Sequence, residues 1–267
     1  MTKSAGILPN RTRIDPDGVD ATLFVLSDRH ASISGPWHSH RRLQFLHVSE
    51  GALCVETDAA RYIIPPQRAV WIRPGVRHRI LSRSPFWLTT CYMDTDHLEL
   101  TSIPTSAVSV DRLSDALLIA VSAFGETGPD TPAEERMVEV LKDCLLALPA
   151  FDLGLPLPDS DRLRRLTDRL IADPARRDTL ATLAAEVALS ERTAARLFKS
   201  ETGLSFGLWR LHLRVQTALA HLADGSSVTQ TAYAVGYGDV SSFIEAFRTV
   251  FGQTPYQAMK RRSAGAE

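Results

Sequence analysis

The chain has 267 residues, 44% hydrophobic and 23% charged, with a formal net charge of −1. That length suits two domains that each bury a core, and the composition excludes a disordered or collagen-like chain. No stretch approaches the ~18 apolar residues of a membrane span, and the start, MTKSAGILPNRTR, lacks a signal-peptide run, so a cytoplasmic protein without membrane contact is expected.

Three cysteines (Cys54, Cys91, Cys144) with no C-x-x-C spacing read as buried thiols, without a disulfide frame or a zinc site. The near-zero charge conceals a division. From Asp161 onward there are 15 Lys/Arg against 11 Asp/Glu, and before it 15 against 20. A mildly basic end on an acidic body fits a DNA-reading domain joined to an effector or dimerisation domain.

Residues 1–21 are polar, hold Pro9 and Pro16, and read as a flexible arm. Residues 22–96 then carry short β-rich runs at 23–26, 43–48, 52–57, 61–64, 69–72, 78–81 and 87–93, with Gly and Pro between or beside them. Short strands at close spacing predict a small sandwich or barrel.

Within this block stand PWHSH (36–40), Gln44, Gly51 and PGVRH (74–78). On a strand His38 and His40 share a face, and Gln44 keeps that parity if the strand is unbroken. His78 would approach from a distant strand. These residues resemble the two cupin motifs, and the resemblance implies a cupin-like β-barrel with His38, His40, Gln44 and His78 at the metal-ligand positions. Three nitrogens and one oxygen suit a divalent transition metal. Gln44 stands where glutamate is usual and removes a charge; Arg73 and Gln67 also depart from the pattern. The same residues can equally pack inside the barrel or line a pocket for a small effector. Arg41, Arg42, Arg73, Arg77 and Arg79 would suit an anionic effector if they turned inward, whereas strand alternation puts most of them on the solvated face. Trp37, Trp71 and Trp87 read as core or pocket wall.

Residues 97–148 change to helical spacing. One run starts at Asp111 with Leu113, Leu117, Ala120, Val121 and Phe124; another opens on a Thr131–Glu134 capping box with Met137, Val138, Leu141, Cys144, Leu145 and Leu148 as its stripe. These helices either pair two subunits or cover the barrel core. Residues 149–160, with three prolines, read as a linker. Residues 161–262 are the last domain, opening with a helix at 161–172 whose Leu163, Leu166 and Leu170 face inward and whose four arginines mostly form a solvated face, with one or two in reach of phosphate.

LATLAAEV (180–187), a short turn, Ser190 as N-cap, ERTAARLFKSE and Gly203 then form one helix-turn-helix. A connecting helix follows within 204–222, with Trp209, Leu213, Leu219 and Leu222 inward. VTQTAYAVGY (228–237), Asp239 as cap and VSSFIEAFRTVF repeat the pattern up to Gly252 and Pro255. Two such units in tandem, with Gly236, Tyr237, Phe243, Phe247, Arg248, Phe251, Gly252 and Pro255 in the second, resemble the C-terminal domain of AraC/XylS-type bacterial transcription regulators over roughly 160–262.

The resemblance implies a two-domain α+β protein: a cupin-like barrel, amphipathic helices and an all-α domain whose two recognition helices enter successive major grooves. It places base-reading side chains at Arg192, Ala195 and Arg196, and at Val240, Ser241, Ser242 and Glu245 in the second helix. Arg192 and Arg196 suit guanine O6/N7, Ala195 a thymine methyl, and Glu245 either cytosine N4 or a neighbouring arginine. Ala194 departs from the usual leucine. Lys199, Arg210, Arg214 and Arg248 fit phosphate contacts or ion pairs within the domain. Double-stranded DNA, a second copy of the chain, RNA polymerase and a small-molecule effector are the implied partners, with activation suggested and repression open. The rival readings are a metal-dependent cupin enzyme with a helical appendage and a constitutive DNA-binding dimer.

Overall fold

The computed structural model describes residues 14–98, 103–151 and 154–258. The chain divides into two compact units, residues 1–53 with 64–152 and residues 54–63 with 153–267. Strands β1 (Leu23–His30), β2 (Ile33–Ser34), β3 (Leu43–Glu50), β4 (Leu53–Thr57), β5 (Ala60–Ile64), β6 (Arg68–Ile72), β7 (His78–Ser82), β8 (Phe86–Met93) and β9 (Ser106–Ser109) come first. Helices α1 (Arg112–Ser122) and α2 (Pro132–Leu146) and strand β10 (Ala150–Phe151) follow.

In the first unit a six-stranded antiparallel sheet runs β1-β8-β3-β6-β9-β10, and β2 pairs with β7. Alternation decides what each face of the larger sheet does. Leu23, Val25, Leu43, Phe45, Ala69, Trp71, Cys91 and Met93 lie at every second position and pack with Leu118 and Val121 of α1 and Val138, Leu141 and Leu145 of α2. Each large apolar side chain so buried contributes about 1.5–3 kcal/mol. Burial pushes the Cys91 thiol far up, as befits an inert core residue. His47 of β3 fastens α1 to the sheet, its Nδ1 donating to the Arg68 carbonyl at 3.0 Å and its Nε2 lying 2.9 Å from the Asp115 carboxylate.

Four expectations are corrected here. The inward face of α1 is Ser114, Leu118 and Val121, whereas Leu113 and Ala120 point outward; the helix carries two apolar stripes, and packing chose one. Strand β9 stands inside the stretch read as helical, because its four residues, SAVS, are too short to show a period. Among the described residues of the arm, 14–21 are tied down: Asp17 accepts from the Arg41 amide, and the buried Arg42 guanidinium donates to the carbonyls of Val19 and Ala21. The linker is not loose either. Its Ala150–Phe151 extends the large sheet beside β9, and its Leu155 and Leu157 are buried in the core of the second unit.

The second unit holds β4, β5 and β11 (Gly154–Pro156), with β11 antiparallel to β5, and, among the described residues, six helices. These are α3 (Asp161–Ala172), α4 (Leu180–Ala185), α5 (Glu191–Thr202), α6 (Phe206–Ala223), α7 (Val228–Ala234) and α8 (Val240–Phe251). Side chains of Thr179, Ser190, Ser205, Ser227 and Asp239 cap α4 to α8, satisfying amides that a helix start leaves without partners. Trp209 is fully buried among Leu163, Leu166, Phe198 and Leu213, and its indole N–H donates to the Pro156 carbonyl at 2.7 Å. A buried indole needs such a partner. The 18 residues of α6 span about 27 Å at 1.5 Å each. Most of the arginines of α3 face solvent, as expected: Arg162, Arg165 and Arg169 are exposed, with Arg169 paired to Glu186 and Arg162 reaching the Ala188 carbonyl, while the half-buried Arg164 donates to the Asp58 carbonyl.

Candidate functional sites

In the first unit a two-residue antiparallel bridge between His38 and His78 brings the distant motifs together, with amide–carbonyl bonds of 2.9 and 2.8 Å. Nitrogens of His38, His40 and His78 all lie within 4.8 Å of one another. The three Nδ1 atoms are each engaged by a main-chain carbonyl: Pro36 for His38 at 3.1 Å, Arg42 for His40 at 2.8 Å and Val76 for His78 at 2.9 Å. A carbonyl only accepts, so each Nδ1 carries a proton, and a ring in its neutral form has its lone pair on Nε2. Fixing the tautomer through the second nitrogen is what orients imidazole ligands toward a cation.

Gln44 completes the set. Its Oε1 lies 3.1 Å from His40 Nε2, while its amide nitrogen donates to the Tyr92 hydroxyl at 2.9 Å. In this orientation two acceptors face each other, an arrangement that a shared cation satisfies. Gln44 and Tyr92 are opposite each other on β3 and β8, on the face turned away from Phe45 and Cys91. Tyr92 was absent from the sequence-level set; the parity of these two strands is the signal that finds it. The four predicted residues are therefore brought together, and the donor set of neutral nitrogens and an amide oxygen fits a late first-row divalent metal. The nearby arginines go elsewhere. Arg77 and Arg79 stack over the Trp37 ring at 4.7 and 4.9 Å, and Arg41 pairs with Asp17.

In the second unit α4 and α5, and again α7 and α8, make helix-turn-helix pairs closed by the same bonds. The Leu189 amide donates to the Ala184 carbonyl at 2.9 Å and the Tyr237 amide to the Ala232 carbonyl at 3.0 Å. The turn residue is left-handed in both, Ala188 at φ 55° and Gly236 at φ 87°. Only Gly236 requires glycine for space as well, since a Cβ there would come 2.8 Å from the Cα and carbonyl oxygen of Ala175.

On α5, Arg192, Ala195, Arg196 and Lys199 are exposed, while Ala194 and Phe198 are buried. Lys199 also donates to the Gly203 carbonyl at the helix end. On α8, Ser241, Ser242, Glu245 and Arg248 are exposed and Val240 is half-buried; the Ser242 hydroxyl is bonded to the Asp239 cap at 2.8 Å. Arg210 and Arg214 take the intradomain alternative. Arg210 donates to the Asp178 carbonyl at 2.7 Å, and Arg214 to the carbonyls of Pro174 at 3.0 Å and Arg176 at 2.7 Å. No helix among the described residues is long and apolar enough to cross a membrane.

Two family models match this arrangement: an AraC-like ligand binding domain over residues 21–138 and a helix-turn-helix domain over residues 183–261. The HTH-type transcriptional regulator NimR of Escherichia coli (strain K12) is 30% identical over 243 residues, 90% of this chain and 88% of that protein. The chain belongs to the AraC family of transcription regulators. It has a helix-turn-helix DNA-binding domain and an N-terminal ligand-binding domain. A second likeness is partial: the HTH-type transcriptional regulator RipA of Corynebacterium diphtheriae is 35% identical over 136 residues, 50% of this chain and 37% of RipA. The crystal structure of ToxT from Vibrio cholerae O395 covers 89% of this chain and 97% of its own, at 13% identity and a TM-score of 0.39, too low to bear on function.

Proposed function

We propose that this AraC-family regulator reads its operator by placing α5 and α8 in successive major grooves, and that its ligand-binding unit holds a divalent metal on His38, His40, His78 and Gln44. The observation that carries the first part is the repeated, identically closed helix pair with Arg192 and Arg196 exposed one turn apart on α5. Two guanidiniums at that spacing suit bidentate contacts to guanine O6 and N7, and Ala195 between them suits a thymine methyl. On α8 the contacts come from Val240, Ser241, Ser242 and Glu245, with Glu245 accepting from cytosine N4. Lys199 and Arg248 meet phosphates, which position the domain without reading sequence.

The metal would be held by the three Nε2 atoms and Gln44 Oε1, and would offer its remaining positions to donor atoms of a small effector. Rotation of the Gln44 amide by half a turn points its NH2 at His40 instead, so this side chain serves as ligand in one orientation and as donor in the other. The wider reading includes cytoplasmic action, pairing with a second copy through the outward Leu113, Ile119 and Val140, and contact with RNA polymerase. It is a regulator's site and not an enzyme's: the relative that spans the chain is named for regulation.

Selection of genomic fragments by the purified protein tests the DNA part. One short motif should be enriched, and the Arg192→Ala/Arg196→Ala variant should lose it; equal enrichment by both proteins defeats the assignment. For the metal, about one equivalent of zinc, nickel or cobalt should be retained after dialysis, and His38→Ala/His78→Ala should retain none. Equal metal content in the two proteins overturns that half.

A further inference from the structure

We propose that Arg177, on the loop between α3 and α4, clamps a phosphate of the DNA strand beside the start of α8; this rests on the reading that α8 lies at the DNA. The loop is rigidly held. Arg210 and Arg214 of α6 bond three of its carbonyls, those of Asp178, Pro174 and Arg176. The Arg176 side chain pairs with Asp178 at 2.7 Å and with Glu186, the C-cap of α4, at 3.2 Å. Ala175 presses against Gly236, so the loop is fastened to the turn of the first helix pair and seated on the turn of the second.

Two adjacent arginines on this loop have different fates. Arg176 is half-buried between two carboxylates, whereas Arg177 is exposed and, among the described residues, has no hydrogen-bond or ion-pair partner. Its guanidinium extends over Gly238, with one nitrogen 4.0 Å from where a Cβ on that glycine would stand. Gly238 is two residues ahead of the first turn of α8, the end of a recognition helix that leads into the groove.

No side chain of α8 supplies positive charge at that end. Val240, Ser241, Ser242 and Glu245 carry none, and Arg248 sits in the last turn. DNA bears a charge every ~1.7 Å of axis, and a helix that approaches it needs cations nearby. The Arg177 charge also crowds Arg214, whose pKa is lowered by burial and by the Arg210 and Arg177 charges. A phosphate oxygen beside Arg177 would relieve that repulsion, adding to what Tyr237 supplies beside Arg214. A guanidinium held ready on a braced loop loses little freedom on binding.

The test is equilibrium binding of the full chain to its selected site and to an unrelated duplex, from about 50 to 200 mM salt. Arg177→Ala should weaken both by a similar factor, roughly tenfold, and reduce the slope of log affinity against log salt by about one. Arg177→Lys should keep the slope, and the thermal midpoint of both variants should stay at the wild-type value. A slope unchanged in Arg177→Ala overturns the clamp, as does a loss confined to the selected site or a fallen midpoint. Glu245→Lys separates the underlying reading: with α8 at the DNA it raises the slope. If Glu245→Lys leaves the slope unchanged, α8 is not at the DNA and the clamp falls with it. If it raises the slope while Arg177→Ala changes nothing, the clamp alone is wrong.

Discussion

The two helix-turn-helix pairs share one backbone plan and differ in almost every side chain that meets solvent. The first has arginines on its recognition helix, a serine cap and an alanine in the left-handed turn; the second has serines and a glutamate, an aspartate cap and a glycine. Buried positions explain the common plan, because Phe198 and Phe247 fill the same place in their helices and each helix ends on a left-handed glycine, Gly203 or Gly252. The difference teaches that closing the motif and reading DNA are separate demands. A pair can keep the first while contributing little to the second, and a neighbour such as the α3–α4 loop would then help to position it on phosphate.

The largest effect on DNA binding should come from the cationic face of α5. Arg192→Ala and Arg196→Ala should each cost roughly 1–3 kcal/mol at the selected site and relax base preference nearby. Ser241→Ala and Ser242→Ala on α8 should each cost less than about 1 kcal/mol, the net worth of a neutral hydrogen bond. Competition binding against single-base variants of the site measures both, and equal costs would abolish the asymmetry.

The turns come next. Gly236→Ala forces a methyl into left-handed backbone and against Ala175, and should lower stability by about 2–3 kcal/mol. Ala188→Gly relieves the same backbone cost without any clash, offset by a more flexible unfolded chain, and should stabilise by up to about 1 kcal/mol. Urea unfolding of the two variants decides it; a harmless Gly236→Ala would mean that the loop does not seat on the second turn.

The smallest effect concerns acid. The amide and hydroxyl of Ser242 hold the Asp239 carboxyl below its usual range. Its charged form is therefore favoured in the folded helix, so the stabilisation is complete at neutral pH and is lost as pH falls through the lowered value. Ser190, the matching cap of α5, does not titrate. Amide exchange should show the start of α8 loosening before α5 as pH drops, and Asp239→Asn should erase that difference. Parallel loosening of both helices in the wild type would show that the cap is not its source.

Much of the site was legible in sequence because its signals are local. Seven strands, the α2 capping box, the caps at Ser190 and Asp239 and the buried leucines of α3 follow from period and from the chemistry of a helix start. The outward placement of Arg192 and Arg196 followed from the same period, since Phe198 and Ala194 take the inner face. His38 and His40 could be assigned one face, but their meeting with His78 needed the bridge between two segments far apart in sequence.

Sequence by itself thus determined which helices form, where most of them begin, and which family of regulators the chain joins, since each is written in residues a few positions apart. Tertiary structure alone decided the fate of the arginines. Arg176 and Arg177, or Arg210 and Arg248, are the same side chain; which becomes a brace and which stays exposed depends on the carbonyls and carboxylates that folding brings within about 3 Å of it. The same holds for the stripe of α1 that became core and for Tyr92 behind Gln44. A long charged side chain has no preference of its own strong enough to choose between water and a partner, so the choice is made by packing.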